Sequence, residues 1–271
     1  MLIPKIIHQT ISSKTSLNPL LKSNINRIQE INQDWECRLY DEVDRRRFIG
    51  SAYGAHMLGI YDKIRPEYGA AKADFWRYLV IYQQGGVYLD IKSTTTRPLS
   101  SVIGIDDAYL LSHWDNGPTG SYPGWGQWQE HGVENEFQQW HIIAAPRHPY
   151  LEAVIKRIQF NIENYNPLRN GVGRIGVLLA TGPIPYTRAI SPIMDQHCHR
   201  LVNIETLGIK YSFIKNSDKK HNELGLSNYR RNKSPLTTKR LSILGVSRLF
   251  MHRKLKKLPY NPTEAAAQRG F

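Results

Sequence analysis

The chain has 271 residues, of which 41% are hydrophobic. This length fits one large α/β domain or two small ones with a sizeable core, and it excludes general disorder. No apolar run approaches the roughly 20 residues that a membrane-spanning helix needs. Two cysteines, Cys37 and Cys198, are too few for a disulfide framework. We therefore expect a cytoplasmic protein with two free thiols.

The formal net charge of +13 is distributed unevenly along the chain. Residues 1–209 contain 21 Lys and Arg against 20 Asp and Glu. Residues 210–258 contain 14 basic side chains against two acidic ones. This pattern predicts a nearly neutral domain over residues 1–209 and a basic C-terminal segment over residues 210–271 that favours an anionic partner.

Hydrophobic periodicity predicts an alternation of strands and helices that begins almost at the N-terminus. Strands are predicted at residues 3–10, 35–40, 87–90, 108–111 and 142–145. Helices are predicted at residues 20–31, 67–83, 149–161 and 184–199. Alternation of this kind, without an internal repeat, indicates one α/β domain with a mostly parallel sheet.

The most informative stretch covers residues 70–93, AAKADFWRYLVIYQQGGVYLDIKS. Asp74 and Arg77 are three residues apart, so they share one face of the predicted helix. The Gly85-Gly86 pair then leads into a short strand that ends at Asp90. This delivers a carboxylate to the edge of the sheet where open α/β folds hold ligands. An ion pair within the helix is the competing interpretation for Asp74 and Arg77.

The order Ala-x-x-Ala-Asp-x-x-Arg, followed by Gly-Gly-Val-Tyr-Leu-Asp, lies in residues 70–90. It resembles the sugar-nucleotide site of family 32 glycosyltransferases, the group of the yeast initiating mannosyltransferase and of capsular polysaccharide enzymes. Residues 3–10, 35–41, 142–146 and 181–183 also resemble conserved stretches of this family. The resemblance extends over residues 3–185 and is specific in residues 70–90.

The resemblance implies a GT-A (Rossmann-like) fold that transfers a sugar from a nucleotide diphosphate sugar with retention of configuration. A UDP-sugar is the expected donor, with GDP-mannose as the alternative. Asp90 would be the first carboxylate of the Asp-x-Asp pair that binds Mn²⁺ or Mg²⁺ in most relatives. Carried over by position, the donor-binding residues are His8, Gln9, Asp74, Arg77, Gly86, Tyr88 and Asp90.

The sequence departs from the family pattern at Lys92, which stands where the second aspartate is expected. In an extended chain, residues two apart point to the same side, so the ammonium of Lys92 would occupy the region of the metal. We hypothesise that Asp90, Lys92 and Arg77 are catalytic, and that turnover needs no metal or depends weakly on Mn²⁺ or Mg²⁺. The alternatives are a metal held by Asp90 while Lys92 faces solvent, and a non-catalytic relative that binds nucleotide sugars or carbohydrates.

A long aromatic segment over residues 113–131 is predicted to be an ordered loop. Aromatic rings with polar edges suit the faces of sugars, so Trp114, Trp125 and Trp128 are candidates for acceptor binding. An equally good interpretation is that these rings only fix the loop to the domain.

The basic C-terminal segment contains a helical pattern over residues 248–258. Met251, Leu255 and Leu258 share one face while basic residues occupy the others, as in helices that lie on anionic membranes. A solvated basic face and contact with an anionic glycan or nucleic acid are the alternatives. Nucleic acid is disfavoured because no binding motif accompanies the charge. Earlier in this segment, His221 and Asn222 are candidates for a contact to the diphosphate.

The expected biological setting rests on the start of the chain. Eukaryotic members of the family normally carry an N-terminal membrane anchor, whereas this chain begins with its first strand. We therefore expect an enzyme of bacterial capsule or lipopolysaccharide synthesis that acts on a saccharide or a lipid-linked saccharide. It would lie in the cytoplasm, peripherally on the inner face of the membrane.

Overall fold

A computed structural model of the chain describes residues 1–15, 17–214 and 229–238. The candidates His221 and Asn222 and the basic helix predicted over residues 248–258 lie outside these residues. None of the helices within the described ranges combines the length and the apolar character that crossing a membrane requires.

A six-stranded mixed sheet forms the centre of the fold, with strand order β2-β1-β3-β6-β5-β7. Strand β1 is parallel to β2 and β3, β5 is parallel to β7, and β6 runs antiparallel to β3 and β5. A separate two-stranded ribbon pairs β4 with β8. The strands are β1 Ile6–Thr10, β2 Glu36–Tyr40, β3 Gly86–Leu89, β4 Thr94–Thr95, β5 Tyr109–Leu111, β6 His141–Ala144, β7 Arg200–Leu201 and β8 Ile209–Lys210. The predicted α/β class with a mostly parallel sheet is confirmed.

The central strands β3, β5 and β6 are buried on both sides because helices cover both faces of the sheet. Tyr88 of β3 faces a core that includes the aromatic residues of α3, whereas Val87 and Leu89 face a second core that includes Ile28 of α1. The helices are α1 Pro19–Ile31, α2 Glu42–Asp62, α3 Gly69–Gln84, α4 Pro149–Glu163, α5 Pro167–Asn170, α6 Gly173–Ala180 and α7 Pro183–Ile190.

Each predicted strand and helix corresponds to an element of the structure, but the short elements α5, α6, β4, β7 and β8 were not predicted, and two longer helices differ from the prediction. Helix α2 was not predicted, because it is kinked at Gly54 (φ 77°) and shows no clear apolar stripe. The helix predicted over residues 184–199 is wrong beyond Ile190, where a 3-10 helix at Ser191–Gln196 follows. Pro192 lies in that turn and has no backbone N–H to continue an α-helix.

Residues 229–238 pack against the main body of the fold. The carbonyl of Leu236 accepts a hydrogen bond from the Arg65 amide at 3.0 Å, and the Tyr68 hydroxyl donates to the Ser234 carbonyl at 2.6 Å. Strand β8 spans residues 209 and 210, on both sides of the predicted boundary. A chain that returns in this way can contribute side chains to the sheet edge.

Candidate functional site

The site begins at the glycine turn between α3 and β3, where β3 packs closely against β1. Gly85 and Gly86 both have positive φ values, 66° and 96°. A Cβ atom on Gly86 would lie 2.5 Å from the carbonyl oxygen of Ile6, so only glycine fits between β3 and β1. Gly86, which the sequence places among the donor-binding residues, is buried and packed against the neighbouring strand.

Asp74, Arg77 and Asp90 meet at the end of β3. Nη2 of Arg77 lies 3.0 Å from Oδ1 of Asp74 and 3.0 Å from Oδ1 of Asp90. The side chains of Asp74 and Arg77 are 5% and 4% exposed, whereas that of Asp90 is 26% exposed. Asp90 is therefore the member of this group that a ligand can reach.

The Arg77 guanidinium is also bonded to Gln139, which the sequence did not single out. Nη1 of Arg77 donates to the backbone carbonyl of Gln139 at 2.7 Å and to its side-chain oxygen at 2.5 Å. The Gln139 amide in turn donates to Asp74 at 3.2 Å, and the Thr181 hydroxyl donates to the other Asp74 oxygen at 3.0 Å. These bonds hold Arg77 in a fixed orientation toward Asp90.

Burial and neighbouring charges have opposite effects on the pKa values of Asp74 and Arg77. Burial raises the pKa of Asp74 to about 6, although Arg77 lowers it. Burial opposes the charge on Arg77, but Asp90, Tyr88 and Asp74 outweigh it and raise the pKa of the guanidinium. Arg77 therefore stays charged, and the pKa of Asp74 is raised toward neutral pH.

Two predicted donor residues adjoin Asp90 directly, whereas His8 does not. The Tyr88 hydroxyl donates to Oδ1 of Asp90 at 3.0 Å, and Gln9 donates to the Asp90 backbone carbonyl at 3.5 Å. His8 is buried and instead contacts the Gly85 carbonyl at 3.1 Å and the Tyr40 hydroxyl at 3.3 Å. Burial, with a contribution from Arg38, lowers the pKa of His8 to about 3, so its ring is neutral.

The chain turns sharply after Asp90 instead of continuing as a strand. The Ser93 amide donates to the Asp90 carbonyl at 2.8 Å, which closes a tight turn over residues 90–93. The expectation that Lys92 follows Asp90 on one side of an extended chain is therefore wrong. Nζ of Lys92 donates to the Tyr211 hydroxyl at 2.6 Å and lies 3.8 Å from the centre of its ring.

The described residues do not fit a divalent metal ion. Within residues 1–15, 17–214 and 229–238, no group of three or more His, Cys, Asp or Glu side chains is arranged to hold a metal ion. Both oxygens of Asp74 already accept hydrogen bonds, and Oδ1 of Asp90 is shared by Arg77 and Tyr88. Mg²⁺ and Mn²⁺ prefer several oxygen ligands, but the expected second carboxylate is a lysine here.

Of the three candidate tryptophans in the aromatic loop, Trp114 is buried, Trp128 is half-buried and Trp125 is exposed to solvent. The indole N–H groups of Trp114 and Trp128 donate to the two oxygens of the buried Glu136, at 2.7 and 2.5 Å. These hydrogen bonds fix the loop to the domain. This agrees with the interpretation that the aromatic rings have a structural role, and it leaves acceptor binding untested. Trp125 is 42% exposed, and its ring centre lies 5.1 Å from that of Trp114 and 5.9 Å from that of Tyr211.

Tyr211 and Tyr229 complete the surroundings of Asp90 from the C-terminal part of the chain. Tyr211 joins Lys92 to the aromatic loop, since its ring also lies 5.1 Å from Trp114. Burial and the charge of Asp74 raise the pKa of Tyr229 to about 12, with further contributions from Tyr211 and Asp90. Tyr229 therefore lies within electrostatic range of the two carboxylates, whereas Tyr211 contacts Lys92.

Four residues of this site lay outside the residues predicted from the sequence. Gln139 lies three residues before the family-like stretch 142–146, and Thr181 is the first residue of the family-like stretch 181–183, so these positions were the available signal. Tyr211 and Tyr229 reach the site through tertiary contacts, and nothing in their local sequence indicates them.

Residues 19–110 match the family described as the glycosyltransferase sugar-binding region containing the DXD motif. Over these residues, the chain is similar to glycosyltransferase sugar-binding regions. The region includes α3, β3 and therefore Asp74, Arg77 and Asp90. The family resemblance identified from the sequence is confirmed.

Three relatives with similar sequences are named as mannosyltransferases or glycosyltransferases. The chain is 26% identical over 202 residues to inositol phosphoceramide mannosyltransferase 2 of Schizosaccharomyces pombe, covering 74% of this chain and 49% of the relative. It is 27% identical over 206 residues to the initiation-specific alpha-1,6-mannosyltransferase of the same yeast, covering 71% and 49%. An uncharacterized glycosyltransferase, L373, of Acanthamoeba polyphaga mimivirus is 31% identical over 130 residues, covering 45% and 51%. The chain thus spans about half the length of these relatives.

Among solved structures, the sugar-binding region and its surroundings are similar to the PaToxG glycosyltransferase. The match has a TM-score of 0.45 and 14% identity, and it covers 84% of this chain and 87% of that one.

Proposed function

We propose that the chain transfers a hexose from a nucleotide diphosphate sugar to a saccharide acceptor, with retention of anomeric configuration. The observation that carries this proposal is the Asp74–Arg77–Asp90 group, which lies inside the matched sugar-binding region and opens to solvent at Asp90. The two yeast relatives described above are named as mannosyltransferases, so GDP-mannose is the first donor to test, followed by UDP-sugars.

In this proposal, Arg77 is a positioning residue and Asp90 contacts the donor. Arg77 donates to Asp74, Asp90 and Gln139, and its side chain is 4% exposed. It orients the Asp90 carboxylate and balances its charge instead of binding the phosphates directly. Asp90 then accepts hydrogen bonds from hydroxyl groups of the donor sugar.

Lys92 supplies the positive charge that the leaving diphosphate needs. Cleavage of the bond to the anomeric carbon leaves new negative charge on the diphosphate, and a fixed cation stabilises that charge as it develops. Tyr211 holds the Lys92 ammonium beside the turn that contains Asp90. We propose that Lys92 performs this role without a divalent cation.

The exposed ring of Trp125 is the proposed platform for the acceptor sugar. It adjoins Tyr211, so an acceptor stacked on it would lie on the same side of the fold as Lys92. We further propose that the acceptor is a saccharide or a lipid-linked saccharide, and that the reaction belongs to surface polysaccharide synthesis.

The test is sugar transfer by the Asp90→Asn variant, with GDP-mannose and UDP-sugars as donors. We expect kcat to fall by about 100-fold or more, because the variant removes the charge that contacts the donor. The matched control is Asp106→Asn, in an exposed turn, which should retain wild-type turnover. Full activity of Asp90→Asn would refute the proposal, and donor binding without turnover by the wild type would favour a non-catalytic sugar-binding protein.

A further inference from the structure

A basic surface cavity lies away from the Asp74–Arg77–Asp90 group and shares no residue with it. Its volume is about 250 Å³, and it lies between α4, α5, α6, α7 and the 3-10 turn Gln129–His131. Arg157 of α4, Arg169 of α5 and Arg188 of α7 line it from three different helices. Three arginines from separate helices therefore place positive charge along the wall of one cavity.

Among the described residues, no carboxylate lines this cavity. Besides the arginines, it consists of His131, Asn161 and Asn170 and of the apolar residues Leu179, Ile184 and Pro185. Across the described ranges, no Asp or Glu oxygen lies within 4.0 Å of a nitrogen of the three arginines. Like charges that converge without a counter-ion repel one another, and a bound anion would relieve that repulsion.

The neighbouring groups are suited to an oxyanion. Asn161 is held in place by hydrogen bonds to the carbonyls of Leu179 and Ala180, at 3.4 and 3.0 Å, so it forms a fixed polar wall. Ile184 is fully buried and forms part of an apolar floor, which reduces the screening of charges above it. Arg188 donates to the His131 carbonyl, which ties α7 to the end of the aromatic loop.

We propose that this cavity binds a phosphate group. The planar forks of several arginines match the oxygens of phosphate, and charge-assisted hydrogen bonds of this kind are the strong ones. The volume is below the range of roughly 300–1,000 Å³ that is usual for pockets that enclose drug-sized ligands. The cavity therefore takes the phosphate itself, either free or as the headgroup of a lipid, and not a whole nucleotide.

The test is binding of inorganic phosphate to the full chain, measured by isothermal titration calorimetry with chloride and ionic strength held constant. Wild type should bind phosphate saturably. Arg157→Gln and Arg188→Gln should each weaken the affinity by about tenfold or more, since each removes a charge-assisted hydrogen bond. Arg27→Gln, an exposed arginine of α1 outside the cavity, is the matched control and should bind like the wild type.

A second set of measurements distinguishes phosphate binding in this cavity from binding at the proposed donor site. It also distinguishes a lipid headgroup from a soluble phosphate as the ligand. Lys92→Gln should retain phosphate binding, because Lys92 does not line the cavity. Vesicles of phosphatidylcholine with and without phosphatidic acid, tested against glycerol phosphate, show whether a lipid headgroup or a soluble phosphate binds more tightly. Binding to either source that is lost in Arg157→Gln supports the proposal.

Two results would overturn it. One is the absence of saturable phosphate binding to the wild type. The other is binding that Lys92→Gln abolishes while Arg157→Gln and Arg188→Gln leave it unchanged. Both arginines are exposed, and circular dichroism melting of each variant verifies that it is folded.

Discussion

Asp74 and Asp90 bind the same guanidinium nitrogen of Arg77, but they lie in different environments. Asp74 is buried and accepts hydrogen bonds from Gln139 and Thr181 as well. Asp90 has one exposed side and is bonded to Tyr88. The sequence predicted that both aspartates bind the sugar donor. Their different burial indicates separate roles: Asp74 orients Arg77, and Asp90 contacts the donor.

The pKa of Asp74 leads to a prediction for stability. We expect the difference in unfolding free energy between wild type and Asp74→Asn to decrease as the pH rises from about 4 to about 7. Burial raises the pKa of Asp74 from 3.8 to about 6 in the folded state. A carboxyl group with a raised folded pKa stabilises the fold fully below its unfolded pKa, and this contribution is lost as the pH rises through the folded value.

Urea unfolding of both proteins at a series of pH values measures this difference. Asp106→Asn, in an exposed turn, serves as the control and should show no such trend. An increase of the difference with pH would mean that the attraction of Arg77 outweighs the cost of burying Asp74, contrary to our account.

Among the elements, α3 could be predicted from the sequence and α2 could not. Helix α3 ends at the Gly85-Gly86 pair, and its apolar and aromatic residues indicate a buried helix. Helix α2 begins with a capping box between Asp41 and Asp44, but Gly54 interrupts it and its exposed positions follow no simple period. Caps and kinks depend on single residues, which periodicity does not detect.

Strand β3 depends on Gly86 more than its length suggests. We predict that Gly86→Ala destabilises the protein by more than about 2 kcal/mol, because the added methyl group would meet a backbone carbonyl at a positive φ. Gly59→Ala is the matched control, since nothing lies within 4 Å of its Cβ position in α2. It should stabilise by about 0.5–1 kcal/mol.

Denaturant unfolding of the two glycine variants provides the measurement. Equal effects of the two substitutions would contradict the close packing of β3 against β1.

The aromatic loop combines a structural role with a proposed binding role. We predict that Trp125→Ala raises the KM for the acceptor by about threefold to tenfold with little effect on stability, because it removes one exposed stacking surface. Trp114→Ala should instead destabilise the fold by about 3–5 kcal/mol, because its ring is buried and its N–H is bonded to Glu136.

Steady-state kinetics with varied acceptor, combined with thermal melting, separates these effects. An unchanged KM for Trp125→Ala would leave the loop with a structural role alone.

At the scale of the molecule, the site is assembled from distant parts of the chain. The sequence identified the segment that contains Asp74, Arg77 and Asp90, because these residues are close in sequence and match a family pattern. Gln139, Thr181, Tyr211 and Tyr229 reach the same place only through the folded sheet and the returning C-terminal chain. Gln139 and Thr181 lie next to or within family-like stretches, which was a weak signal, whereas nothing in the local sequence of Tyr211 and Tyr229 indicates their place in the site.

The net charge of +13 is unevenly distributed between the two parts of the chain. Residues 1–209 are nearly neutral, and within them a few placed charges decide the chemistry of the site. Most of the excess lies in residues 210–258. The positive charges that matter for the proposed reaction are Arg77, which is held entirely by the protein, and Lys92, which takes the place of an expected carboxylate.

The central claim is that Lys92 replaces the metal, and sugar transfer measured in EDTA and then with added Mn²⁺ tests it most directly. The compared proteins are wild type, Lys92→Asp, which restores the Asp-x-Asp pair, and Lys22→Asp, an exposed control on α1. We predict that wild type and Lys22→Asp turn over in EDTA, with less than about a twofold change on adding Mn²⁺. Lys92→Asp should lose about 100-fold in EDTA, because the charge on the leaving diphosphate is no longer neutralised. Strict dependence of the wild type on Mn²⁺, or full activity of Lys92→Asp in EDTA, would contradict the account.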